Sequence, residues 1–173
     1  DKDNADVSVD VDTNRKTLHM PFGSKLPYQD VTVVNAVGNS PNASVSAHRL
    51  GLQSALITNV GHDRYGDDCL EALRTEGVHT EHVKVHEGKS TNYHYVLRYG
   101  PERTILIKHE QFPYVLPDFE TPPRFIYFSS IGEHGIDYHF EIAKYVHEHP
   151  ETKLVFQPGT FQIKLGAEKL KEV

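Results

Sequence analysis

The chain has 173 residues, 38% hydrophobic and 24% charged, with 18 Lys plus Arg against 24 Asp plus Glu and a net charge of −6. That balance is too apolar and aromatic for a disordered chain, and no stretch reaches the ~20 apolar residues of a membrane span. The mild acidity argues against a nucleic-acid-binding surface, and the lone Cys69 excludes an intrachain disulfide and fits a reducing, cytoplasmic setting.

The first residues alternate. Val7, Val9 and Val11 sit between Ser8, Asp10 and Asp12, the period-2 pattern of a half-buried strand. Asp12-Thr13-Asn14-Arg15 reads as a turn, and Lys16 to Met20 as a return strand. The apolar run Val31 to Val34 predicts another strand. Gly38-Asn39-Ser40-Pro41 then opens a helix, with Asn39 or Ser40 as its cap and Pro41 in its first turn. Ala43, Ala47 and Leu50 share one face of that helix, with Val45 alongside, and Gly51 stops it. Ser54 to Val60 reads as a buried strand. Asp63 is the expected N-cap of the next helix, which Cys69, Leu70 and Leu73 make apolar and Gly77 ends.

Strand, helix, strand, helix at this spacing means βαβ units and a parallel sheet. The pattern then reverts to β. Thr91 to Tyr99 and Thr104 to Lys108 read as a hairpin around Gly100-Pro101-Glu102-Arg103. After a Pro-rich connector come a strand at Phe125 to Phe128, a helix at Phe140 to Val146 and a strand at Leu154 to Phe156. Ala167 to Val173 begins a final helix. The fold class is therefore α/β, with β-rich excursions near 7–34 and 83–110. Excursions of this kind commonly form lids or interfaces.

Four segments resemble the ribokinase-like (PfkB) sugar kinases. Val37-Gly38-Asn39-Ser40-Pro41-Asn42-Ala43, continuing to Arg49-Leu50-Gly51, is similar to their first glycine-rich signature. Val60-Gly61-His62-Asp63-Arg64-Tyr65-Gly66 resembles their Val-Gly-x-Asp-x-x-Gly segment. Leu73-Arg74-Thr75-Glu76-Gly77-Val78 matches a helix end, and Gly100-Pro101-Glu102-Arg103-Thr104 the lid hairpin. The resemblance implies a doubly wound α/β core with a small β-sheet lid, incomplete here. It implies transfer of the ATP γ-phosphoryl group, with Mg2+, to a hydroxyl of a sugar or nucleoside. It implies a small-molecule sugar or nucleoside partner and a homodimer through the lid, whereas the expectation of no nucleic-acid or membrane partner comes from the composition.

The family's second signature, Asp-Thr-x-Gly-Ala-Gly-Asp, is absent, so the expected catalytic base lies beyond Val173. Val37 also replaces the first glycine of the usual pair. The chain starts Asp1-Lys2-Asp3 without Met and reads as the front part, 1–173, of such a kinase, supplying its sugar-binding and lid half. The alternative is a sugar-binding module of the same fold without catalysis. Gly38-Asn39-Ser40-Pro41 fails the Gly-x-Gly-x-x-Gly pattern, which argues against a dinucleotide-dependent oxidoreductase.

By resemblance, Asn42 contacts sugar hydroxyls, and Gly38 and Asn39 bring backbone close to the sugar. Asp12 and Arg103 are further sugar contacts on the lid strands, and Glu133 contacts the substrate or a magnesium-bound water. Gln157 faces the nucleotide phosphates. Each has a bland local reading too: a helix cap for Asn42, an ordinary turn for Gly38 and Asn39, a solvated turn carboxylate for Asp12, and exposed charges for Arg103 and Glu133. Twelve histidines show no metal-ligand spacing and read as surface residues. No metal ligand set is expected, and Cys69 reads as a buried inert thiol.

Overall fold

A computed structural model describes residues 5–10 and 12–171, and these divide into two compact units. The smaller takes in the segment up to Val34 together with Val96–Leu106; the larger comprises Asn35–Tyr95 and the segment from Ile107 onward.

In the smaller unit, β1 (Asp6–Val9) pairs antiparallel with β2 (Lys16–His19), from Asp6 opposite His19 to Val9 opposite Lys16. Asp10 makes the turn between them, its Oδ1 accepting from the backbone N–H of Asp12 and of Thr13. The period-2 reading of this strand is right in register and wrong in burial. Val7 and Val9 are exposed: among the described residues nothing buries that face of the two-stranded ribbon. Val11 lies outside the described residues. The expected strand at Val31 to Val34 does not form. Its valines are exposed and pair with no strand, so the apolar run has neither ladder nor core to hold it extended. β5 (Tyr95–Tyr99), whose first residue belongs to the larger unit, pairs with β6 (Glu102–Leu106) across Gly100-Pro101.

The larger unit is built from two βαβ pieces. β3 (Thr58–Gly61) and β4 (Val83–His86) pair in parallel, joined through α2 (Arg64–Thr75). β7 (Phe125–Phe128) and β8 (Lys153–Phe156) pair in parallel, joined through α3 (Ile136–Glu148). The second β-rich excursion was expected from residue 83, yet β4 completes a parallel pair of the larger unit. The smaller unit's share of that region is 96–106.

Each βαβ piece has its own core. Ile126 and Phe128 on β7 meet Tyr138 and Ile142 on α3, with Leu154 and Phe156 alongside. Leu56, Leu73 and Val78 form the other, with Val45 of α1 (Asn39–Arg49) against them. Only one face of the β7–β8 pair is filled: Phe125, Tyr127 and Val155 stay exposed, unlike the usual doubly covered parallel sheet.

Two helix starts follow from local chemistry. Asp63 caps α2 as expected, its carboxylate accepting from Gly66 N–H at 2.9 Å. The cap of α1 is Gly38 instead of Asn39 or Ser40, and its φ of +154° favours glycine. The final segment holds α4 (Thr160–Leu165) and α5 (Ala167–Leu170), of which only the second was expected. Among the described residues no helix is long and apolar enough to cross a membrane.

Candidate functional site

Ligands of open α/β folds bind beyond the carboxyl ends of the parallel strands. In the larger unit that edge gathers three segments: the first turn of α1, the loop Ser129–Glu133 after β7, and Gln157–Thr160 after β8. Ser40 on α1 and Ser129 after β7 lie hydroxyl to hydroxyl at 2.5 Å, which fixes the start of α1 against the strand end. Ser129 is buried and Ser130 beside it is exposed.

Gly38, Asn39 and Asn42 come together in one helical turn. The Asn42 N–H donates to Gly38 O at 3.0 Å, so backbone satisfies that amide and the exposed side chain is free of a capping role. Glu133 is exposed in the 3-10 turn Glu133–Gly135 that follows the Ser129 loop. Gln157 extends the β7–β8 ladder through its N–H to Phe128 O at 2.8 Å, and its side-chain oxygen accepts from the Tyr127 hydroxyl. The Gln157 side chain is thereby held on the open, Tyr127 face of the strand pair. Asp12 and Arg103 belong to the smaller unit: Asp12 is exposed in the β1–β2 turn and Arg103 is exposed on β6.

The site has a buried frame that sequence reasoning missed. His139, read as a surface histidine, is 0% exposed. Its ring stands edge-on to Phe128 at 4.7 Å and to Phe156 at 6.0 Å, which are themselves stacked. Gln162, on the unexpected helix α4, is 1% exposed and hydrogen-bonds His139 Nε2, Ile131 O and Gly159 N–H. A Gln three residues after the residue preceding a helix is half of a capping box, and that spacing was visible at Gly159 and Gln162. His139 had no such signal. Its turn of helix carries the buried Tyr138 and Ile142, and the apolar period of α3 was read as starting only at Phe140.

Asp63 anchors the other piece. Its Oδ1 accepts from the Thr91 hydroxyl at 2.7 Å and its Oδ2 from Thr91 N–H at 2.8 Å, beside the cap bond to Gly66. Burial pushes this carboxyl up, but hydrogen bonds from Thr91, Gly66 and Tyr65 outweigh it and hold it below the ordinary aspartate value. Cys69 is half-buried. Burial raises its thiol above the ordinary value, against a hydrogen bond from Ala36 N–H to Sγ at 3.3 Å. A thiol kept protonated in this way is a poor nucleophile.

The donor set at the strand ends is neutral apart from Glu133. No Lys or Arg occurs in Gly38–Asn42, Ser129–Glu133 or Gln157–Thr160. Among the described residues no three His, Cys, Asp or Glu could hold a metal ion. Serine, asparagine and glutamine side chains suit the paired donors and acceptors of sugar hydroxyls. They do not by themselves fit a magnesium nucleotide, whose phosphates call for cations and whose metal calls for carboxylates.

The family model described as pfkB family carbohydrate kinase matches residues 6–114. Ribokinase of Bacillus subtilis (strain 168) is 29% identical over 130 residues, covering 70% of this chain and 43% of that protein. The 2-dehydro-3-deoxygluconokinase of Thermoproteus tenax is 36% identical over 67 residues, 39% of this chain and 21% of that protein. The chain thus spans less than half the length of these two relatives. Among solved structures, the sugar kinase PH1459 of Pyrococcus horikoshii in complex with ATP superposes with a TM-score of 0.63 at 20% identity, covering 94% of this chain and 53% of that one. Halothermothrix orenii fructokinase gives 0.59 at 22% identity, covering 88% and 51%. At these identities the structural likeness shows a ribokinase-like fold. The family match over more than half its residues places the chain in the pfkB family of carbohydrate kinases.

Proposed function

We propose that this chain is the sugar-recognition and lid part of an ATP-dependent kinase acting on a hydroxyl of a sugar or nucleoside. The observation that carries the reading is the first turn of α1, with Gly38, Asn39 and Asn42 together, pinned through Ser40 to the strand end at Ser129. In this reading Asn42 hydrogen-bonds sugar hydroxyls. Gly38 and Asn39 let backbone approach the ring, and Glu133, exposed after the Ser129 loop, contacts the substrate or a magnesium-bound water. The smaller unit, with segments near 7–34 and 96–106, acts as the lid, and Asp12 and Arg103 are its sugar contacts. Gln157 lies where the nucleotide phosphates would arrive. In this reading ATP with Mg2+ would supply the transferable phosphoryl group, its phosphates and metal held by cations and carboxylates that these strand-end segments, apart from Glu133, do not contain. The setting is cytoplasmic, and the apolar strands of the smaller unit are the surface for a homodimer.

Phosphoryl transfer needs a base at the acceptor hydroxyl and electrostatic stabilisation of the moving phosphoryl group. No Gly-Ala-Gly-Asp segment occurs in the chain to provide them. This chain is therefore expected to bind sugar and to transfer nothing. Radiolabelled ATP incubated with the chain and a panel of pentoses, hexoses and nucleosides should yield no labelled sugar phosphate; a labelled product would overturn this assignment of parts.

Asn42→Ala tests the recognition half. Losing a pair of side-chain hydrogen bonds to a hydroxyl is worth about 1.5 kcal/mol, or roughly a tenfold rise in Kd for the best-binding sugar of that panel. Titration calorimetry reads this directly, and an unchanged Kd would remove Asn42 from the site. A donor set with no Lys or Arg, and Glu133 as its one charge, favours a second reading, a sugar-binding module without catalysis. The two separate on the parent reading frame: a Gly-Ala-Gly-Asp segment within the next ~100 residues selects the kinase, and its absence selects the module.

A further inference from the structure

The loops after β7 and β8 are joined by a closed polar circuit inside an apolar core. Gly135 O is a carbonyl and can only accept, so the His139 Nδ1 facing it at 2.8 Å carries the proton. Gln162 Oε1 accepts from Gly159 N–H at 3.0 Å, which sets the orientation of its amide. The two amide hydrogens then go to Ile131 O and to His139 Nε2, each at 3.2 Å. Nε2 must accept, which requires the neutral Nδ1–H ring. Every named donor has an acceptor, and the two side chains that make the circuit are 0% and 1% exposed. Two glycines close the same gap: a Cβ on Gly159 would overlap Ser130, and one on Gly135 would overlap the Ile131 side chain.

We propose that His139 and Gln162 are positioning residues. Together they hold the Ser129–Gly132 loop and the Gln157–Gly159 segment at a set spacing, so that the exposed Ser130 and the two strand ends form one ledge for the ligand. The ledge is the site of the proposed function, and in that sense the inference rests on it. Neither residue touches the ligand. They act by locking the two loops to each other and to the N-terminus of α3. A polar circuit of this kind is stable only when complete, so it selects one loop arrangement and penalises the others.

The test is nuclear magnetic resonance on the full chain and three variants. In the unaltered chain, long-range proton–nitrogen spectra should show His139 as the Nδ1–H tautomer; the Nε2–H tautomer would overturn the circuit. Gln162→Met removes all three bonds. It should speed exchange of the Gly159 amide by about tenfold or more and raise the picosecond–nanosecond mobility of Ser130–Gly132. Exchange at Val78, whose N–H bonds Leu73 O in the other βαβ piece, should stay within about twofold. Gln162→Glu keeps the acceptor toward Gly159 and loses the donors. Gly159 should then stay protected while Ser130–Gly132 loosens. His139→Phe keeps a ring against Phe128 and Phe156 and should loosen the same loop, which secures the comparison if Gln162→Met does not fold. A uniform rise at Gly159 and Val78 alike, or no change at either loop, overturns the positioning role. Failure of the chain to bind any sugar would refute the proposed function, and the exchange pattern would still decide the role of the pair.

Discussion

Replacing Ile142 with Ala is expected to lower the unfolding free energy by about 3–4 kcal/mol. Ile142 is 1% exposed and points from α3 onto Ile126 and Phe128 of β7. Truncation removes roughly three buried methyl or methylene groups and leaves a cavity that flanking aromatics cannot fill without leaving their rotamers. Tyr138 stands edge-on to Phe128 at 5.9 Å, and Phe128 stacks on Phe156 at 5.3 Å, so relaxation at Ile142 would disturb the ring cluster that also holds His139. Urea denaturation of the two proteins should show the loss as a lower midpoint with an unchanged slope. A loss below about 1 kcal/mol would mean that α3 is not docked on β7 as described.

Asp63→Ala is expected to cost about 3 kcal/mol. It removes the N-cap of α2, worth about 1 kcal/mol, and two bonds to Thr91 that tie the turn after β3 to the segment entering β5. It also leaves the Thr91 N–H at a buried residue without its acceptor, and the Thr91 hydroxyl with only the longer bond to Gly61 O at 3.4 Å. The carboxyl is held below its unfolded value in the native chain. Its contribution is therefore fully present above the unfolded pKa, near 4, and is lost as pH falls through the lower native value. Stability measured from pH 7 down to pH 2 should show an acid-side decline in the native chain, and Asp63→Ala should flatten it. An equally steep decline in the variant would assign the acid sensitivity to other carboxylates.

The legibility of this fold in its sequence follows the reach of each interaction. Asp63 could be read as a cap because cap and helix are adjacent in sequence. Phe125 to Phe128 and Leu154 to Phe156 were legible because both are short apolar runs before loops. Val31 to Val34 misled for the complementary reason. β-propensity marks a segment that could pair, and pairing depends on a partner that local sequence does not name. Val7 and Val9 alternate correctly, but alternation shows two faces without showing whether any layer covers one. His139 was hidden among twelve histidines, since burial of an imidazole depends on Gly135 O and on Gln162, 23 residues away. The first turn of α1 was legible at Gly38, Asn39 and Asn42, where a contiguous motif carries it. The Ser40–Ser129 contact, 89 residues apart, was not.

The central claim is that the first turn of α1 and the two strand-end loops form a sugar site. Its most direct measurement is a titration of the nitrogen-15-labelled chain with pentoses, hexoses and nucleosides, followed residue by residue in the amide spectrum. The account predicts saturable shifts for at least one sugar, concentrated at Gly38–Asn42, Ser129–Glu133 and Gln157–Gly159. Saturable shifts centred elsewhere, or none with any member of the panel, would contradict it.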